Sequence, residues 1–255
     1  MSIAALRLRS ADPTALRAFY CRTFGARDVE GGCIVGAERI EIAPAAELRP
    51  DLFLSNETGF QHFALVVADM KRAYARLCLV SDWRPISLAG PERLPQSSGG
   101  ATAYKFRDPE GHPLELLQFA DDAVPALWRQ RFDAAPGELF FGIDHTAITV
   151  RDAEASARFW ASLGLIETHR QINRGREQAR LDGFAEADSV EVEIVSLSSP
   201  AGRPGVELLG YRHPPAAPRA ASDGSAAATA IVLANLAVAS HDPDGHRVDF
   251  PMVPT

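Results

Sequence analysis

Cysteine is scarce: Cys21, Cys33 and Cys78 are the three in 255 residues, odd in number and without metal-type spacing. That scarcity excludes a disulfide-stapled secreted scaffold, and reduced thiols in a cytoplasmic protein are the simplest expectation. Basic charge is also short. The 26 Lys and Arg residues are outnumbered by 33 Asp and Glu, giving a formal net charge of −7. With no compensating basic run, the chain is expected to bind neither nucleic acid nor an anionic membrane. No apolar run approaches the ~20 residues that cross a bilayer, and the N-terminus has no signal-peptide profile. A Walker-type phosphate loop, a dinucleotide-type glycine pattern, CxxC, HExxH and a serine nucleophile elbow are all missing, which removes the chemistries they serve.

What is present is a globular composition, 46% apolar and 23% charged, long enough for two domains with ordinary cores. It carries an internal repeat. A histidine stands seven residues before an aspartate in HFALVVAD (62–69) and again in HTAITVRD (145–152). In each case a later strand-like segment holds a glutamate in an apolar frame, HPLELLQF (112–119) and GVELLGY (205–211). Recurrence of a fixed element order points to duplication. Two further units are degenerate. The first has Asp12 and Pro13, the segment RIEIAP around Glu41, and Ala5 at the histidine position. The fourth keeps HDPDGHRVDF (241–250), which matches RDPEGHPLELLQF (107–119) and pairs Asp249 with Glu115. Before it, TAIVLA (229–234) and LAVAS (236–240) read as strands too close together to enclose a helix.

Asp12, Asp69 and Asp152 are suited to cap helices, with Pro13 at a first helical position and Gly25 and Gly164 as stops. Leu16, Phe19, Tyr20 and Phe24, and Phe159, Trp160 and Leu163, recur at helical spacing and are expected in the core. Strand alternation places His62, Ala64 and Val66 on one face and Phe63, Leu65 and Val67 on the other. The bulky set is expected under a helix and the histidine set on a cleft. The same division puts His145, Ala147 and Thr149 on a cleft. Glutamates inside such strands are costly to bury unless paired or ligating a cation, which marks Glu115 and Glu207 as site candidates. His112 and His246, in the DPEGH and DPDGH turns, read as hairpin closers, and His213, before two prolines, as a loop residue. In NRGREQARLDGF (173–184), Gln178 and Arg180 are candidates to contact a polar substrate. SSGG (97–100) reads as a flexible loop.

FQHFALVVADM, YKFRDPEGHPLELLQF, GIDHTAITVRDAEASARFWASLGL and VELLGY together resemble the vicinal oxygen chelate superfamily. Its members include glyoxalase I, fosfomycin- and bleomycin-resistance proteins and extradiol dioxygenases. The resemblance implies an α+β fold of four βαβββ modules, the fourth truncated, paired into two domains whose curled mixed sheets enclose a cleft. The expected first domain is 1–120, from modules 1–50 and 51–120. A linker at 121–138, tacked down by Leu127 and Trp128, leads to a second domain at 139–255, from modules 139–214 and 215–255. Carried over by position, the first domain offers Glu41, His62 and Glu115 as metal ligands, with Ala5 where a fourth could stand; the alternative cleft offers His145, Glu207 and Asp249. One imidazole and two carboxylates suit a divalent ion such as Zn, Mn, Fe or Ni. The implied activity is a glyoxalase-like lyase or isomerase acting on a small carbonyl-containing molecule, with Glu115 moving the proton. The alternatives are an extradiol-type dioxygenase, disfavoured because neither expected half supplies a second histidine, and a non-catalytic small-molecule binder. Paired modules complete a cleft without a partner and leave a homodimer open.

Overall fold

The structure is a computed structural model that describes residues 2–45, 52–185, 189–219, 229–234 and 238–251. Unit one contains β1 (Ile3–Ser10), α1 (Pro13–Phe24), β2 (Arg27–Val29), β3 (Gly32–Val35) and β4 (Glu38–Pro44). Unit two contains β5 (Gln61–Val67), α2 (Met70–Cys78), the short β6 (Arg84–Pro85) and β7 (Glu92–Arg93), β8 (Thr102–Arg107) and β9 (Pro113–Gln118). The connecting segment folds into α3 (Ala126–Ala134). Unit three contains β10 (Phe140–Thr149), α4 (Ala153–Ser162), β11 (Ile166–Gly175), α5 (Arg176–Leu181), β12 (Val190–Ser199) and β13 (Gly202–His213). Unit four contains β14 (Ala230–Leu233), β15 (Ser240–His241) and β16 (Arg247–Asp249), with no helix among its described residues. The expected module junction at residues 50 and 51 lies outside the described residues, as do Leu236 and Ala237 of LAVAS. No helix is long and apolar enough to cross a membrane among the described residues.

The helices begin where the acidic caps predict. Asp12, Asp69 and Asp152 accept the amides of Ala15, Arg72 and Ala155 at 2.9–3.0 Å, satisfying donors that the first turn leaves open. Gly25, at φ 67°, ends α1 in the left-handed conformation that costs glycine least. Phe19, Tyr20 and Phe24 of α1 pack edge-on against one another and join Phe63, Leu65 and Trp160 in a shared core. Phe63 is buried, which contributes ~1.5–3 kcal/mol over leaving it exposed.

Among the described residues the fold is two mixed sheets, in the α+β class expected. One has strand order β15-β16-β14-β1-β4-β3-β2; the other has β11-β12-β13-β10-β5-β9-β8-β6, with β7 on β8. Units two and three therefore share a sheet through antiparallel β5 and β10, and units one and four share the other through antiparallel β1 and β14. The pairing expected from chain order, one with two and three with four, is not the one formed. Two local features account for it. Helix α3 lies over the β5/β10 seam, with buried Trp128 packed among Val66 and Phe141. In addition, joining β1 to β5 in the register used by β10 would set Arg7 opposite His62, a cation beside a buried imidazole, whereas β10 presents Ala147 there.

The two sheets are clamped by the DPEGH and DPDGH turns. Asp108 Oδ1 accepts the amides of Glu110, Gly111 and His112, and its Oδ2 faces His112 Nδ1 at 2.8 Å and accepts from Tyr20 Oη at 3.0 Å. His112 Nε2 donates to the Arg9 carbonyl in unit one. His246 makes the corresponding bond to the Thr149 carbonyl in unit three. The turn histidines thus bridge sheets in addition to closing hairpins. Replacing Asp108 with Ala should cost about 3–5 kcal/mol, because it strands a buried partner and several amides. Urea unfolding would show this as a lower midpoint at unchanged slope, and a change under ~1 kcal/mol would rule out the clamp.

Candidate metal centre

The β5/β10 pairing sets the geometry of the site. Register places Ala64 opposite His145 and Ala147 opposite His62, so each histidine faces a methyl group across the seam and both rings fit on the concave face. Their centroids are 5.9 Å apart. Parallel pairing of β5 with β9 and of β10 with β13 then sets Glu115 beside Ala64 and Glu207 beside Ala147. All four side chains line one cleft of about 280 Å³. His62, Glu115 and His145 each offer a ligand atom, all within 4.8 Å of one another. Glu207 Oε2 is 3.5 Å from His145 Nε2.

The expected ligand sets are therefore recombined. His62 and Glu115 stay together, and so do His145 and Glu207, but the two pairs meet each other. Glu41 and Asp249 are elsewhere: both are held by Arg7 in the other sheet, at 2.7 Å from Nε and Nη1 respectively. The objection to a two-histidine centre rested on chain-order pairing of units, and crossing that order supplies the second histidine.

Protonation prepares His62, Glu115 and His145 unequally. Burial, reinforced by the Lys105 charge, pushes His62 down to about 4, so its imidazole is neutral near pH 7. His62 Nε2 is 3.1 Å from Glu115 Oε2, but poorly aligned for a hydrogen bond. Both His62 nitrogens are consequently buried without a hydrogen-bond partner, as a ligand awaiting a cation would be. Burial works to raise Glu115, yet His62, Lys105 and His145 outweigh it and hold the carboxyl at about 2. Burial likewise opposes the charged form of His145, but Glu207 and Asp144 raise it to about 9. Two imidazoles with two carboxylates form a donor set that fits a divalent transition ion.

Several supporting groups were not anticipated. Asp144 Oδ2 takes His145 Nδ1 at 3.0 Å, which turns Nε2 toward the cleft, and Trp128 Nε1 donates to Asp144 Oδ1 at 2.6 Å. An acidic residue oriented on the outer nitrogen of a ligating histidine fixes its tautomer. Asp144 directly before His145 was the available sign; nothing in the sequence singled out Trp128 as its partner. Lys105, buried on β8, bonds Asp182 at 2.6 Å and stands 3.9 Å from Glu115. Gln178 donates to Asp182 and accepts from Asn173, and Ser196 donates to Glu207. Gln178 lines the cleft as expected, whereas Arg180 turns away to form an ion pair with Glu92. His213 is exposed, and the SSGG stretch supplies Ser98 and Gly99 to the cleft wall.

No protein-family model matches the sequence, nor does any curated protein. Solved structures do. A variant of glyoxalase I from Zea mays superposes with TM-score 0.56 at 16% identity, covering 97% of this chain and 90% of that one. A putative dioxygenase from Bacillus subtilis superposes with TM-score 0.51 at 16% identity, covering 92% and 70%. The chain has the vicinal oxygen chelate fold. Within that fold, the first and last strands of units two and three are the ones that carry His62, Glu115, His145 and Glu207.

A cation at this centre must displace the His145 proton. With His145 at about 9 and His62 and Glu115 already deprotonated, affinity for a divalent ion should rise about tenfold per pH unit up to about 9 and then level off. Calorimetric titrations in buffers of different ionisation enthalpy should report about one proton released per ion at pH 7. A pH-independent affinity would remove His145 from the ligand set.

Proposed function

We propose that this chain is a metal-dependent lyase or isomerase of glyoxalase-like type, acting on a small carbonyl-containing molecule. The observation that carries the reading is the meeting of His62, Glu115, His145 and Glu207 in one cleft, each from a different strand. The chemistry of these side chains supports that reading. A bound divalent ion would act as a Lewis acid that steadies negative charge on a substrate oxygen. Glu115, kept ionised by its neighbours, accepts a proton from the carbon beside the carbonyl and returns it. Lys105, fastened to Asp182, stands 3.9 Å from Glu115 and favours its ionised form. Asn173 and Gln178 add polar groups to a cleft lined also by the apolar Leu117, Phe119, Val192 and Ile194. A mostly apolar lining with a few polar groups suits a small molecule that carries oxygen atoms on an apolar frame.

A second reading has its own support. His62, His145 and Glu115 alone are two imidazoles and a carboxylate, a set that also serves oxygen-activating iron. Under that reading Glu207, bonded by Ser196, stays outside the ligand set.

Elemental analysis of untagged protein separates these outcomes from an empty fold. His62→Ala and His145→Ala should each abolish the same single equivalent, while Glu41→Gln and Asp249→Asn should retain it. Retention of metal in both histidine variants would defeat the site. Glu115→Gln, reconstituted with metal, should lower turnover by about 10²–10⁴-fold on a panel of α-hydroxycarbonyl compounds, followed through exchange of the carbon-bound proton with deuterium oxide. Oxygen uptake with catechol and ferrous ion, without such exchange, would instead favour the dioxygenase reading.

A further inference from the structure

The other sheet repeats the cleft with different chemistry. Strand register makes the correspondence residue by residue: β1 pairs β14 as β5 pairs β10, and β4 and β16 lie parallel to them as β9 and β13 do. Ala5 then occupies the place of His62, and Ala230 that of His145. Glu41 and Asp249 occupy the places of Glu115 and Glu207. Both imidazoles are lost and both carboxylates kept. Arg7 stands where the metal centre has Ala64, and its guanidinium spans the pair, bonding Glu41, Asp249 and the Phe250 carbonyl. An internal cation therefore fills the place between the carboxylates, which excludes a metal ion there.

The cleft is not closed by this exchange. A cavity of about 200 Å³ remains, lined by Arg7, Arg9, Ala43, Ala230, Arg247 and Asp249. Arg7 and Arg9 lie on the cleft face of β1 by strand alternation. Arg247 reaches Asp249 at 3.1 Å. Among the described residues three guanidinium groups and one carboxylate, Asp249, line this cavity, and Glu41 is bound to Arg7 beside it. Arg9 holds the excess: its side chain makes no hydrogen bond or ion pair among the described residues, and its Nε is buried without an acceptor. A buried donor left unmade is costly, and a planar guanidinium matches an oxyanion's paired oxygens.

We propose that the cleft of units one and four is a second ligand site, which binds a small oxyanion carrying a carboxylate or phosphate group through Arg9 with Arg247 beside it. The cavity is smaller than the ~300 Å³ at which pockets for drug-sized ligands begin, so the ligand is a short molecule or a single anionic group. The site does not rest on the metal reading and shares no residue with it.

The test uses the full-length protein at constant ionic strength, with sodium chloride as the reference anion. Inorganic phosphate and acetate are titrated separately, followed by calorimetry and by chemical-shift changes of labelled arginine Nε groups. Saturable binding of either probe, weakened at least tenfold in Arg9→Gln, is expected. Which of the two binds more tightly identifies phosphate or carboxylate as the recognised group. The His62→Ala/His145→Ala double variant should bind the anion as the wild type does, which keeps the result independent of any metal. Absence of saturation by both probes, or equal binding by Arg9→Gln in a protein with unchanged unfolding midpoint, would overturn the proposal.

Discussion

Antiparallel pairing of β5 with β10 is the contact on which the candidate centre depends. It joins strands from opposite halves of the chain, in a register that faces each histidine with an alanine. A slip of one residue in either strand would turn that strand's histidine onto the core face and carry Phe63 or Thr146 into the cleft in its place. The small residues at 64 and 147 are as necessary as the histidines, because a larger side chain at either place would fill the space where the ligand atoms converge. Trp128, Val66 and Phe141 cover the seam from one end, and Trp128 also reaches Asp144. The segment that joins units two and three therefore holds the seam and helps orient one of its histidines.

The second sheet shows how the same backbone loses this chemistry. Its carboxylates persist, yet one arginine at the position of Ala64 turns a prospective cation site into an ion pair with its own charge built in. Burying two carboxylates without that arginine would be expensive, so Arg7 and the acidic pair stand or fall together. Arg9, two residues along the same strand, has no such counterion among the described residues, and this asymmetry separates the two arginines of one strand into a bonded and an open group.

Much of the fold was legible in the sequence because it rests on local rules. The three aspartate caps, the aromatic face of α1 and the alternation in HFALVVAD each depend on residues close together, and each takes the form expected. All four cleft residues were named from the repeat. Which of them meet was not legible, since unit pairing depends on contacts far apart in sequence: Trp128 across the seam, and Arg7 against Glu41 and Asp249. Chain order suggested neighbours that the strands do not adopt. The roles of Lys105 and Asp182 are not legible for a similar reason, because each is a buried charge paired with the other, 77 residues away.

The turn clamps give this arrangement a further meaning. His112 ties unit two to unit one, and His246 ties unit four to unit three, while the sheets join two with three and one with four. The four units thus form a closed ring of contacts in which each bond type links a different neighbour. Neither half of the chain keeps a complete sheet by itself, since cutting between residues 121 and 138 would separate β5 from β10 and β1 from β14 at once. β1 must wait for β14, more than 200 residues later, before its sheet is whole. Such distant closure raises the share of non-local contacts, which slows folding because loop-closure entropy must be lost before those contacts form.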